Sequence, residues 1–319
     1  MSKERQLAFY RADIASVLKN ITCPYCGHPL ISNDWNTEHV IGRNFVPKGT
    51  LNKHWNLILR ACKRCNGYKS DLEDDIGAIS MQPSSAGKFA EDDPVLSKEA
   101  KRRAKSFSRK TRRTVSESAE RLQFRVNAGS GISLSGNFVG PPQIEERRLF
   151  ELARLQLAGF FYALTYNRES NKGGFWVEGF HPLLEAIRSD WGNVIHTTFM
   201  SEVKHWEPRL LAETASGYYK VAIRRHPDAE CWSWALEWNR NYRVIGFFGD
   251  RTAAQGVVDR FPPLPRMKIA QNGRDWVAVR PDVNLDASED LLFVWDGAAT
   301  DAQQGAALDP TTTARFSGG

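Results

Sequence analysis

The sequence predicts a protein of the α+β class, and three observations support that prediction. Residues 143–167 place apolar side chains on more than one helical stripe, which is typical of a helix inside a core. Residues 218–225 and 231–238 instead alternate with a period of two, as strands do. Residues 23–75 combine two short apolar runs with paired cysteines. We therefore expect a small N-terminal unit, a basic helical segment and a C-terminal α+β domain that ends in an antiparallel sheet.

The N-terminal quarter predicts short elements in the order helix, strand, strand, helix. Residues 4–19 have the apolar spacing of a short amphipathic helix. Residues 37–41 favour a short strand, and residues 56–61 are a second short apolar run. Glycine and proline make the residues between them a loop. Residues 63–75 permit a helix, and we interpret the acidic side chains at its end as solvated.

The rest of the chain predicts further helices and strands. The pattern favours a hairpin around residues 132–139, mostly helical structure over 180–214 and a short helix at 252–260. Further strands are expected at 242–248, 276–280 and 291–295.

Composition predicts where the chain divides. Residues 77–97 are rich in Ser, Gly, Pro and acids, which favours a linker. The predicted units are residues 1–80, a linker with a basic helical segment at 81–125, an α+β domain at 126–296 and a disordered tail at 297–319.

Charge is concentrated in one part of the 319-residue chain, whose formal net charge is +6. Residues 98–125 hold 11 Lys and Arg against 3 Asp and Glu, which favours a polyanion as partner. No apolar run reaches the roughly 18 residues of a membrane span, and the N-terminus lacks the apolar core of a secretory signal. We therefore expect a cytoplasmic protein with reduced thiols and no membrane partner.

Four of the five cysteines form two pairs with metal-ligand spacing. The pairs are Cys23-x-x-Cys26 and Cys62-x-x-Cys65, and Gly27 permits a backbone reversal after the first. Two such pairs can supply four thiolates to one tetrahedral zinc ion. Because all four positions would then be filled, this zinc is expected to be structural and to leave no open position for water.

Polar residues between and behind the cysteines are candidates for chemistry. Glu38 can hold a divalent cation, and the imidazole of His39 can take a proton from water near neutral pH. Asn56 can hydrogen-bond backbone and hold the loop that orients His39. Asn66 offers a second metal ligand through its carbonyl oxygen, and Lys69 offers a charge for phosphate.

These residues resemble the HNH endonuclease family. The similarity lies in Glu38-His39 on the first strand, Asn56-Leu57 in the middle and Asn66 behind the last cysteine, with Lys69 following. It covers residues 20–75. The chain departs from the commoner pattern by having Glu rather than Asp before His39, and Asn rather than His at position 66.

The resemblance implies a zinc-stabilised ββα-metal unit that hydrolyses phosphodiester bonds with one Mg²⁺ or Mn²⁺ ion. His39 would activate water, Glu38 and Asn66 would hold the catalytic metal, and Asn56 would position His39 through the backbone. Lys69 and Arg43 would contact phosphates.

The basic segment is the predicted docking surface for nucleic acid, and double-stranded DNA is the expected partner. Its dense part comprises Lys101, Arg102, Arg103, Lys105, Arg109, Lys110, Arg112 and Arg113. A non-catalytic, zinc-containing nucleic-acid adaptor and an RNA-cleaving nuclease remain alternatives. Residues 126–296 could serve as a sensor, a specificity domain or a docking surface for a protein partner or activating signal. A role in restriction or antiviral defence is a hypothesis.

Overall fold

The computed structural model describes most of the chain. The described residues are 8–9, 14–31, 34–83, 93–117, 120–127, 133–140, 145–175, 179–265, 267–272, 275–279 and 281–294. The predicted tail at 297–319 lies outside them. No helix in these ranges is long and apolar enough to cross a membrane.

The N-terminal unit is a small sheet followed by a helix. Strand β1 (Ala8–Phe9) precedes this unit and belongs to the large sheet described below. The elements of the unit, in chain order, are β2 (Ser16–Val17), β3 (Trp35–His39), β4 (Leu57–Cys62) and α1 (Lys63–Ser80). Strand β4 lies in the middle, antiparallel to β3 and parallel to β2. Helix α1 follows β4 directly, so the predicted strand–strand–helix order is confirmed. The helix predicted over 4–19 is wrong where the chain is described, because β1 and β2 are strands.

The middle of the chain corrects the predicted basic helical segment. Helix α2 (Pro94–Arg103) ends early in that segment, and turns follow through Glu117. Strands β5 (Glu120–Asn127) and β6 (Ser133–Gly140) then form an antiparallel hairpin. The basic residues beyond Arg103 therefore lie on turns and a strand rather than on a helix. Helix α3 (Glu146–Leu164) is the predicted core helix.

The C-terminal part is built on one large sheet. Its elements, in chain order, are β7 (Phe180–Ile187), α4 (Val194–Val203), β8 (Glu207–Thr214), β9 (Tyr219–Arg225), β10 (Cys231–Trp238), β11 (Tyr242–Gly249), α5 (Arg251–Val258), β12 (Met267–Asn272) and β13 (Asp275–Val279). The strand order is β1-β8-β9-β10-β11-β7, with only the β1–β8 pair parallel, and β12 pairs with β13. Two predictions are wrong. Residues 180–214 are helical only over a short 3-10 turn at Arg188–Asp190 and over α4, and the described part of 291–295 forms no strand.

Both faces of the large sheet are covered. Every residue of the central strand β10 is buried. Trp232, Trp234 and Trp238 belong to the core on the side of α3, as their period of two predicted. Cys231 and Ala235 belong to a second core on the side of α4 and α5.

The N-terminal unit and the large sheet share one hydrophobic core. Trp55 stacks on Phe160 of α3 with ring centroids 6.1 Å apart, and Phe45 meets Trp238 edge-on at 5.3 Å. The side chain of Asn239 donates hydrogen bonds to the Phe45 carbonyl and to Ser80. Residues on both sides of the predicted boundary near residue 80 therefore pack in the same core.

Candidate metal centres and active site

The four paired cysteines converge on one point. Their Sγ atoms all lie within 4.8 Å of one another, and the Cys26 and Cys62 sulfurs are 3.8 Å apart. A tetrahedron with Zn–S bonds of about 2.3 Å has edges of about 3.8 Å, so the cluster fits one zinc ion. Each pair sits at an element end, the first in the turn before β3 and the second where β4 becomes α1.

Local backbone geometry presents the first pair. The Gly27 amide donates to the Cys23 carbonyl at 2.9 Å, and the Cys23 amide donates to the His28 carbonyl at 2.8 Å. Gly27 has a φ of +71°, in the left-handed region that glycine adopts without strain. The turn therefore brings both sulfurs to the same side.

Burial disfavours free thiolates in this cluster. It raises the pKa of the Cys23 thiol to about 12, and burial also raises the pKa of Cys65 above its ordinary value. Hydrogen bonds from neighbouring cysteines outweigh burial at Cys62 and lower the pKa of its thiol. The Cys23 and Cys65 thiols therefore stay protonated at neutral pH unless a cation replaces their protons. Such a site binds metal with release of protons.

Glu38 lies in a buried polar cage beside the cysteines. Its Oε1 accepts hydrogen bonds from the Tyr25 hydroxyl at 2.9 Å and contacts the Lys69 ammonium at 2.7 Å. Its Oε2 accepts a hydrogen bond from the Asn66 side-chain amide. Tyr25 lies between the two cysteines of the first pair, so the turn that carries these cysteines also supplies a hydrogen bond to the Glu38 carboxylate. The sequence did not single out Tyr25.

His39 follows on the other face of strand β3 and is half-buried. The Arg43 guanidinium lies 3.2 Å from its Nε2, and because arginine can only donate, Nε2 accepts. Burial lowers the pKa of His39 below its ordinary value, and the Arg43 and Lys69 charges add smaller effects in the same direction. The negative charge of Glu38 acts in the opposite direction but does not cancel these effects. The ring is therefore neutral at pH 7 and has a basic nitrogen. Arg43 is exposed beside it.

Asn56 holds the backbone that follows His39. Its Oδ1 accepts from the Ile41 amide at 3.2 Å, and its Nδ2 donates to the Ile41 carbonyl at 2.8 Å. The expected hydrogen bonds between Asn56 and this backbone are therefore present. Its role in catalysis stays a prediction.

Lys69 differs from the expectation of a phosphate contact. Its side chain is fully buried, with Nζ 2.7 Å from Glu38 and 2.6 Å from Glu73. A phosphate cannot reach it without disrupting both ion pairs, so the predicted phosphate contact of Lys69 is wrong. Glu73, predicted to be a solvated helix residue, is buried. Its spacing of four residues from Lys69, which pairs side chains on a helix, is the sequence signal for this ion pair.

The dense basic residues divide into three groups. Arg103 is buried against Glu99 at 3.6 Å, which corrects its assignment to the nucleic-acid surface. Three others are exposed but paired, Arg102 with Glu99, Arg109 with Asp71 and Lys110 with Glu145. The remaining residues are exposed and make no ion pair within the described part of the chain. They are Lys101, Lys105, Arg112 and Arg113.

The basic turns dock on helix α1. Arg109 pairs with Asp71 and lies 3.7 Å from Asp74, while the Ser108 hydroxyl donates to buried Asp75 at 3.0 Å. At 1.5 Å per residue, Asp71 and Asp75 lie about 8–14 Å along the helix from Asn66. The acidic end of α1 therefore fixes the basic turns near the polar cage.

Glu38 and Asn66 are the residues of the cage that suit a hard divalent cation. One carboxylate and one amide oxygen are the ligand types that Mg²⁺ and Mn²⁺ accept, with water completing the shell. Lys69 and Tyr25 already contact Oε1 of Glu38, so Oε2 is the carboxylate oxygen that could bind a metal ion. The Asn66 carboxamide would have to turn its oxygen to that side.

We compared the chain with protein-family models, curated proteins and solved structures, and no match was found. The interpretation of the site therefore depends on its own residues.

Proposed function

We propose that the protein is a metal-dependent endonuclease of the HNH type that hydrolyses phosphodiester bonds, with double-stranded DNA as substrate. The observation that supports this most strongly is the meeting of the Glu38 and Asn66 side chains, with His39 next along β3. The strand–strand–helix order and the cysteine cluster agree with the resemblance in sequence.

In this proposal His39 is the general base. Its lowered pKa keeps the ring neutral at pH 7, so it can take a proton from the water that attacks phosphorus. Arg43 lies beside the ring and is exposed, so its charge can meet a phosphate oxygen. When Arg43 turns to the phosphate, the Nε2 lone pair of His39 becomes available.

Two metals have separate roles. Zinc on the four thiolates would fix the start of α1 against β3. Glu38 and Asn66 would hold Mg²⁺ or Mn²⁺, which when bound stabilises negative charge on the phosphate and the leaving oxygen. The exposed residues Lys101, Lys105, Arg112 and Arg113 would contact the duplex backbone without reading sequence.

One observation favours a different function. The Glu38 carboxylate is buried and already balanced by the Lys69 ammonium, as in a structural ion pair. In that case the unit would be a zinc-containing module that binds nucleic acid without cutting it.

Cleavage of supercoiled plasmid distinguishes the two functions. The zinc-loaded protein is incubated with plasmid, linear duplex or tRNA in Mg²⁺ or Mn²⁺, beside His39→Ala and a His205→Ala control. His205 is exposed and lies outside the cage. We expect metal-dependent plasmid cutting that His39→Ala loses and His205→Ala keeps. Binding without cutting in either metal supports the adaptor, and cutting of tRNA alone would change the substrate to RNA.

A further inference from the structure

The backbone from His39 to Gly42, called here the 39–42 segment, is held by side chains at three of its four residues. The Lys69 ammonium donates to the His39 carbonyl at 3.2 Å. Asn56 pairs with both backbone groups of Ile41. The Glu73 carboxylate accepts from the Gly42 amide at 3.0 Å. Each holding group is a side chain from a different element or turn than the segment itself.

Lys69 and Glu73 act on this segment as a pair. Their charged atoms are 2.6 Å apart, one turn apart on α1, and both side chains are buried. Buried ion pairs add little net stability, because desolvation offsets the attraction, but they fix geometry when every polar atom is used. Here the Lys69 ammonium also donates to the His39 carbonyl, and the same Oε1 of Glu73 that pairs with Lys69 also accepts from the Gly42 amide, at the two ends of the 39–42 segment.

Gly42 is fitted to the carboxylate. A Cβ at this position would lie 2.4 Å from Oε2 of Glu73 and 2.8 Å from its Cδ. Gly42 is not among the residues with positive φ, so an alanine there would meet a steric conflict with Glu73 and no backbone strain. The absent side chain allows the carboxylate to reach the amide.

We propose that the Lys69–Glu73 ion pair is a positioning device that fixes the His39 imidazole by holding the 39–42 segment from the side of α1. This inference rests on the proposed function for its catalytic meaning. Lys69 also holds Glu38, so one ammonium sets the carboxylate and the imidazole relative to each other. A displacement of about 1 Å at a reacting group can cost about a hundredfold in rate, so such a device affects turnover more than affinity.

The test uses four variants of the full-length, zinc-loaded protein. Glu73→Leu removes the acceptor for Gly42, whereas Glu73→Gln keeps an acceptor and removes only the charge. Gly42→Ala displaces the carboxylate without removing a buried charge. Arg148→Met is the matched control, because it breaks the 2.6 Å ion pair with Asp75 on the same helix. Asp75 accepts hydrogen bonds from Ser108 and Arg148, and neither of these residues belongs to the 39–42 segment.

Three measurements are compared: hydrogen exchange of the Gly42 amide, the NMR resonances of the His39 ring, and kcat and KM on plasmid. We expect Glu73→Leu and Gly42→Ala to speed Gly42 exchange at least about tenfold, to shift the ring resonances, and to lower kcat about 10- to 100-fold with KM changed less than about twofold. Glu73→Gln should recover most of the protection, and Arg148→Met should match the wild type.

The outcomes separate this inference from the proposed function. If Gly42 exchange and the ring resonances stay at wild-type values in Glu73→Leu and Gly42→Ala, the positioning role is wrong. It is also wrong if those signals change but kcat matches Arg148→Met. If the wild type cuts nothing in either metal, the nuclease proposal fails, and the exchange and ring measurements still decide whether the pair fixes His39.

Discussion

The side-chain amide of Asn66 donates a hydrogen bond to the carboxylate of Glu38, although 28 residues separate them in the chain. Strand β3 carries Glu38, and the first turns of α1 carry Asn66. The cysteine cluster lies beside both, with Cys65 directly before Asn66. A metal held by the cysteines would therefore be expected to set this contact.

Removal of zinc should unfold the N-terminal unit selectively. Chelation, or Cys62→Ser, takes away a structural zinc, for which binding is worth about 10–16 kcal/mol in small peptides. We expect hydrogen exchange over residues 20–75 to rise strongly while β8 to β11 stay protected. Cleavage should be lost and should not return with added Mg²⁺. Full protection of residues 20–75 in metal-free protein would contradict a structural zinc.

Asn56→Ala should weaken both folding and activity. It leaves the Ile41 amide and carbonyl without their partner in a buried place, which costs about 1–3 kcal/mol in the free energy of unfolding. Urea unfolding measures this loss.

Asn20→Ala is the control for that variant, because buried Asn20 pairs with both backbone groups of Arg60 at 2.7 and 2.8 Å. We expect a similar loss of stability in the two variants but a larger loss of kcat in Asn56→Ala. Equal losses of kcat would limit Asn56 to a structural role.

Stability should fall in mild acid because of His196. Burial, together with the Arg243 charge, lowers the pKa of this histidine from 6.5 to about 4 in the folded protein. Between pH 6.5 and pH 4 the ring therefore binds a proton in the unfolded chain but not in the folded chain. The free energy of unfolding is at its full value above about pH 6.5 and decreases as the pH falls. The loss reaches about 3 kcal/mol near pH 4. In His196→Met, the slope of the unfolding free energy against pH in this range should correspond to about one proton fewer taken up on unfolding. An unchanged pH dependence would contradict a neutral, buried ring.

The exposed basic residues should set the salt dependence of DNA binding. Arg112→Glu and Arg113→Glu should weaken duplex binding and reduce the slope of log Kd against log salt by about one per lost phosphate contact. The control is Arg260→Glu, because Arg260 is distant in sequence from the basic residues 101–113 and pairs with Glu202. Equal effects of the three changes would indicate a general charge effect rather than a docking surface.

The cysteine cluster and the strand–strand–helix order could be predicted from sequence because their signals are local. Paired cysteines, a strand over residues 37–41 and a helix over 63–75 each depend on short spacing, and the structure brings Glu38 and Asn66 together. Lys69 could not be interpreted correctly in this way. Lys69 is buried because it pairs with Glu38, which lies on strand β3 and is distant in sequence. A lysine on a helix is ordinarily exposed.

The large sheet was harder to predict at its edge. Strand β7 contains Pro182 and has apolar residues at both parities, so it lacks the alternation of β10. Such a strand is tolerated because it lies at the sheet edge, where a missing amide is harmless. Strand β1 is two residues long and pairs with β8 across some 200 positions, a contact that no local pattern encodes.

Single-turnover cleavage by His39→Gly with and without added imidazole tests the central claim most directly. A general base contributes about 10²- to 10⁴-fold, so the variant should lose at least about a hundredfold in rate in Mg²⁺ or Mn²⁺. Free imidazole should restore part of that rate, with zinc content and folding unchanged. If the variant cleaves at the wild-type rate, His39 is not the general base. If the wild type cleaves nothing in either metal, the protein is not the proposed nuclease.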